Sequence, residues 1–122
     1  MLNQTVLVGR LVRDPEIKKL EDGKEVSNIT LAVQRSYKNA EGVYECDFID
    51  CTLWNGVAAS TAEYCKQGDI VGVKGRVQTD RYEVDGETKY KTGIVAEKIT
   101  FLSSRKEKED MVEKDTDEDI EM

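Results

Sequence analysis

Apolar and polar residues alternate along most of this chain, and the places where the alternation breaks divide it into elements. Thr5–Val12 alternates and is rich in Val and Leu until Asp14-Pro15 interrupts it, which predicts a first strand. Lys18–Glu25 is polar and contains Asp22-Gly23, a turn signal. Val26–Tyr37 predicts a second strand, with Ile29, Leu31 and Val33 on one face at period two. Lys38–Gly42 reads as a loop and Cys46–Trp54 as a third strand. The period then changes. Ala58, Ala62 and Cys65 fall at i, i+4 and i+7, with Val57, Thr61 and Tyr64 beside them, so Val57–Gln67 is expected to be helical. Asn55 is expected to cap its start and Gly68 to follow its end. Asp69–Thr79 returns to strand, Asp85-Gly86 signals a two-residue hairpin in the run to Tyr90, and Ile94–Leu102 predicts a final strand. Three strands, one helix and two strands with a protruding hairpin match an all-β architecture. It is the five-stranded OB-fold Greek-key barrel, with one α-helix between strands 3 and 4.

The faces of these strands carry the functional information. In the third strand Ile49, Cys51 and Leu53 form a clean apolar face, which leaves Phe48, Asp50, Thr52 and Trp54 pointing to solvent. Two exposed aromatics beside a carboxylate and a hydroxyl suit base stacking. Covering a barrel end or a subunit contact is the alternative for the same side chains. Lys74, Arg76, Gln78 and Tyr82 share a second face, opposite Val71, Val73 and Val77. A basic face ending in an aromatic fits a groove that follows phosphates, with Arg81, Lys89 and Lys91 on the same hairpin. An ordinary solvated face is its plain alternative. Strict alternation points Tyr37 inward with Ile29, Leu31 and Val33, unless a bulge or the strand end redirects it. Its neighbours Arg35 and Lys38 are suitable phosphate partners. Tyr44, Tyr64 and Tyr90 are assigned to packing.

Charge changes the picture once the chain is divided. The net charge of −7 argues against a nucleic-acid partner when taken over the whole chain. Residues 104–122 hold nine carboxylates against four bases, a net of −5, and leave −2 for residues 1–103. That tail has too few apolar residues to offset its own ordering entropy, so disorder is expected beyond a boundary near Ser103. No apolar run approaches the roughly 18 residues of a membrane span. The N-terminus moves straight into strand pattern without the layout of a secretory signal, so a cytosolic protein is the expectation. Cys46, Cys51 and Cys65 are an odd set without paired spacing, and the chain has no histidine. They read as small buried apolar residues in a reducing compartment, with no metal and no cofactor expected. Catalysis finds no support either. There is no phosphate-cradling glycine loop and no serine in a nucleophile setting, and Asp47 and Asp50 are too few for a metal-dependent nuclease.

Taken in order, the motifs resemble the bacterial-type single-stranded DNA-binding protein family. They are Leu7-Val8-Gly9-Arg10-Leu11 with Asp14-Pro15-Glu16, Asn28-Ile29-Thr30-Leu31-Ala32-Val33, and Asp47 through Trp54. Lys66-Gln67-Gly68-Asp69 leading into Val73-Lys74-Gly75-Arg76, then Gln78-Thr79, continues the likeness over residues 1–103. The resemblance implies stacking aromatics at Tyr37, Phe48, Trp54 and Tyr82, and phosphate contacts from Arg35, Lys38, Lys74, Arg76 and Arg81. It also implies a homotetramer around which single-stranded DNA wraps, serving replication, recombination and repair. Three features depart from the family. Asp80 stands where relatives often carry a base, and the long Gly/Pro/Gln-rich linker before the tail is missing. The tip Asp117-Glu118-Asp119-Ile120-Glu121-Met122 resembles the acidic tail that grips replication and repair proteins, but Glu121-Met122 replaces the usual Pro-Phe. A protein-interaction OB module and an RNA binder are the rival readings of the barrel. The tail carboxylates are expected to compete with DNA for the basic groove. Deleting residues 105–122 should therefore tighten oligo-dT binding, most at low salt, in titrations of the two chains side by side.

Overall fold

In the computed structural model, which describes residues 1–104, the strands are β1 (Thr5–Leu11), β2 (Lys18–Lys19), β3 (Glu25–Lys38), β4 (Tyr44–Trp54), β5 (Ile70–Val84) and β6 (Glu87–Ser103). One helix, α1 (Asn55–Tyr64), joins β4 to β5. The five long strands run in the order β1-β5-β6-β4-β3, and β3 returns to β1 through Arg10–Ala32 and Leu11–Leu31. That last pairing closes the barrel. The neighbours are antiparallel except β4 and β6, which run parallel at Cys51–Ile94 and Thr52–Val95. This is the OB-type barrel expected from the sequence. The expected turn at Asp22-Gly23 is present, with Gly23 at φ +87°, but it joins the short β2 to β3 in a small hairpin.

The inward faces follow the period-two pattern. Leu11, Ile29, Leu31, Cys51, Leu53, Val71, Val73, Ile94 and Ala96 fill the barrel, and Ala58 and Cys65 of the helical connection close one end. Burying each of the larger apolar side chains contributes about 1.5–3 kcal/mol. Cys46 departs from expectation: it is exposed, because its even position puts it on the outer face of β4. Val77 also departs: it is exposed, lying past Gly75, where the pairing of β5 with β1 ends.

The helix begins earlier than its apolar pattern and is capped differently. Trp54 is the N-cap, with no side-chain capping bond. Asn55, expected to cap the helix, instead accepts a hydrogen bond from the Glu25 N–H at 3.1 Å and itself adopts φ +49°. Gly68 does have a left-handed φ of +91°, yet it lies beyond the C-cap Cys65. There it shapes the turn into β5, donating its N–H to Leu11 O at 2.9 Å. The Asp85-Gly86 hairpin is present, with both residues at positive φ. Its arms are uninterrupted continuations of β5 and β6, so the last strand starts at Glu87 rather than Ile94.

Gly75 sits where the β5–β6 register shifts between Lys74 and Gly75. A Cβ there would collide with the backbone carbonyl of Val95. Gly75→Ala is expected to destabilise the barrel by about 1–3 kcal/mol, the usual cost of overpacking. A lowered urea midpoint at unchanged slope would register it.

Candidate nucleic-acid interface

Inward Ile49, Cys51 and Leu53 force the even residues of β4 outward. Phe48 is 68% exposed and Trp54 39%, with Asp50 and Thr52 between them. The cross-strand partners on β3 are Thr30 beside Asp50 and Asn28 beside Thr52, with buried Ala32 beside Phe48 and buried Val26 beside Trp54. Two hydrogen bonds fix the polar middle of the strip. The Thr30 hydroxyl donates to Asp50 Oδ1 at 3.0 Å, and the Thr52 hydroxyl donates to Asn28 Oδ1 at 3.1 Å.

The β5–β6 hairpin supplies the facing wall. Gln78, Asp80 and Tyr82 alternate onto one of its faces, paired with Gly93, Lys91 and Lys89. Between this face and β4 lies a cavity of about 360 Å³, lined by Arg13, Asn28, Asp50, Thr52, Gln78 and Lys91 among others. Its polar lining lies along the strip between the two aromatics. Tyr82 is 45% exposed farther out on the same hairpin face. Arg81 pairs with Tyr90 on the opposite face.

Tyr37 is 63% exposed, although alternation alone would turn it inward. The register between β3 and β4 shifts between Gln34 and Lys38, and that irregularity releases Tyr37 from the inward row. Lys38 pairs with Tyr44 and holds its ammonium 5.6 Å from that ring's centre, a cation–π arrangement. Arg35 has other partners. Its guanidinium donates to Asp47 Oδ1 at 2.8 Å through Nη2 and to Glu45 Oε2 at 2.9 Å through Nη1. Its hydrogen bonds and charge hold the Asp47 carboxyl below the ordinary aspartate range, against the opposing effect of desolvation. Arg76 lies 3.6 Å from Glu97. Lys74 stands in a row with Val6 and Lys98, two strands away from β4.

The structure therefore sets Phe48 and Trp54 at either end of the β4 strip whose Asp50 and Thr52 line the cavity, and Tyr82 farther out on the hairpin face that lines its other side; Lys74 and Arg81 lie apart from it. It also adds residues that strand parity had not singled out. Arg13 and Asn28 join the cavity wall, while Arg10 extends the Ala32–Phe48 row onto β1. Arg10 could have been found from its even position in an alternating strand, but Arg13 follows the strand end, where alternation gives no direction. Cys51 lies beneath this surface, its thiol pushed up to about 11 by burial and then by Asp50, so it stays protonated and unreactive at neutral pH.

A sequence model of the Single-strand binding protein family matches residues 2–102. Single-stranded DNA-binding protein B of Bacillus subtilis is 45% identical over 106 residues, covering 86% of this chain and 94% of that protein. Single-stranded DNA-binding protein 3 of Listeria innocua is 48% identical over 106 residues, covering 86% of this chain and 66% of the other. The Single-stranded DNA-binding protein of Oceanobacillus iheyensis is 45% identical, with the same two coverages, 86% and 66%. The chain thus spans nearly all of the first relative and just under two thirds of the other two.

The Arg35–Asp47 contact makes a pH prediction. A carboxyl with a depressed folded-state pKa stabilises the fold above its unfolded pKa, and that stability is lost as pH falls through the folded value. In an NMR pH titration Asp47 should protonate below the ordinary aspartate range. Arg35→Ala should return it to the ordinary range.

Proposed function

The chain belongs to the single-strand binding protein family and binds single-stranded DNA; we propose that it does so by stacking bases on the outer face of β4. One observation carries this reading. Phe48 and Trp54 are exposed on a single strand, on either side of a polar strip that faces the β5–β6 hairpin. Stacking there tolerates any base, because every base presents a π-face. Strand and hairpin together form a channel, with Tyr82 continuing it outward and Tyr37 at the far end of β3.

Phosphate contacts in this reading come from Lys38, Arg76, Lys89 and Lys91. Arg81 and Lys74 would meet DNA only where it continues past the hairpin or around the barrel. Arg35 would reach a phosphate only by leaving Asp47 and Glu45. The function is binding and protection during replication, recombination and repair, not catalysis, and its setting is the cytoplasm at the nucleoid. No helix among the described residues is long and apolar enough to cross a membrane.

Self-association as a homotetramer fits a different sector of the barrel. Val8, 54% exposed, projects from β1 beside Gly72, which Leu102 adjoins, and Val6, 72% exposed, stands beside Lys74. Apolar exposure of this kind favours a subunit contact there and leaves the β4 aromatics free for DNA. In this reading residues 1–103 are the binding domain and 104–122 a tail for replication and repair proteins. Asp117, Glu118, Asp119, Ile120 and Met122 lie outside the described residues, and Glu121-Met122 at the tip weakens the case for that recruitment.

Alanine substitution tests the stacking surface. Phe48→Ala and Trp54→Ala should each weaken binding of a labelled oligo-dT by about 1–3 kcal/mol. Anisotropy titrations at two salt concentrations would check it, with affinity falling as salt rises. Folded variants that bind as tightly as the parent would remove these residues from the site.

A further inference from the structure

Asp50 is the one carboxylate on the outer face of β4 between Phe48 and Trp54, where an incoming polyanion would meet it. The barrel core does not require it, since its side chain is exposed. Its Oδ2 lies 3.6 Å from Lys91 Nζ, while Oδ1 accepts the Thr30 hydroxyl. Lys91 belongs to the hairpin, two residues before Gly93, where a Cβ would come within 3.3 Å of the Asp50 carbonyl oxygen. The β4–β6 pairing begins only at Cys51–Ile94. Before Gly93 the hairpin has left β4, and Lys91–Asp50 is the ion pair joining the two among the described residues. Both partners line the cavity.

Resting on the stacking reading above, we propose that DNA entering this cavity takes Lys91 from Asp50, so that Asp50 sets the affinity by competing with phosphate for that lysine. An exposed carboxylate–ammonium pair is weak and readily exchanged. A phosphate at the cavity mouth offers Lys91 an equivalent partner and repels the Asp50 carboxylate. The exchange loosens the hairpin's side-chain tie to β4 as the strand enters, and restores it on release. Asp50 thereby lowers affinity while leaving the stacking surface intact.

The test is a set of oligo-dT titrations across a salt series, using the parent chain, Asp50→Asn, Lys91→Gln and the double variant. Asn at position 50 keeps an oxygen for the Thr30 hydroxyl. Lys91→Gln should reduce the slope of log K against log salt by about 0.7, the loss of one phosphate contact on a single strand. Asp50→Asn should bind about two- to fivefold tighter at low salt, as removal of a weak exposed competitor allows. Relative to Lys91→Gln alone, the double variant should gain clearly less, because only the direct repulsion between phosphate and the Asp50 carboxylate is left to relieve; an undiminished gain would overturn the competition for Lys91. An unchanged slope for Lys91→Gln would mean that the lysine stays on Asp50, and no tightening in Asp50→Asn would mean that no competition exists. Either result overturns the exchange alone. Failure of the parent chain to bind oligo-dT would overturn the stacking reading and the exchange together.

Discussion

Ile49, Cys51 and Leu53 must all enter the barrel, and the geometry of a pleated strand then leaves Phe48, Asp50, Thr52 and Trp54 no direction but outward. A one-residue slip of β4 against β3 would bury both aromatics and the carboxylate while exposing three apolar side chains. The core thus enforces the register, and the register builds the surface. Closure between β3 and β1 at Arg10–Ala32 and Leu11–Leu31 holds the same strands in place from the other side. Gly9 lies at that junction, where a Cβ would come within 2.9 Å of the Ala32 carbonyl oxygen. Stability and binding geometry are two consequences of one packing arrangement.

The strands and the outer face of β4 were readable from the sequence because period two and burial agree at each position. The Asp85-Gly86 turn was equally plain, since both residues tolerate the positive φ that a tight hairpin needs. Other features depended on contacts between distant segments. Asn55 looks like a helix cap from its neighbours alone, but Glu25 presents it with an unpaired N–H, and that long-range bond prevails. Tyr37 faces outward because of a register shift that alternation cannot foresee. Alternation stops short of the hairpin ends of β5 and β6, because the hairpin arms, exposed on both faces, carry no apolar period. Which cations reach the cavity was hidden for the same reason. Sequence groups Lys74 with Arg76, whereas the strand order carries Lys74 toward β1 and brings Lys91 to Asp50.

Electrostatics in this protein works locally. A chain of net charge −7 that binds a polyanion needs its cations in the right places and its carboxylates committed elsewhere. Asp47 and Glu45 are tied to Arg35, and Glu97 faces Arg76. Asp50 and Asp80 are the carboxylates that line the cavity itself, and each has a partner there, Lys91 and Gln78. In the proposed reading, stacking adds affinity that does not depend on net charge, beside the phosphate contacts that the local cations make.

If bases stack on the outer face of β4, Trp54 reports it directly, because it is the chain's only tryptophan and its emission comes from that face alone. The direct measurement follows Trp54 fluorescence as oligo-dT is added, alongside an independent signal of binding on the DNA. Stacking on β4 should give quenching that saturates together with binding. Saturated binding with Trp54 emission unchanged would contradict it.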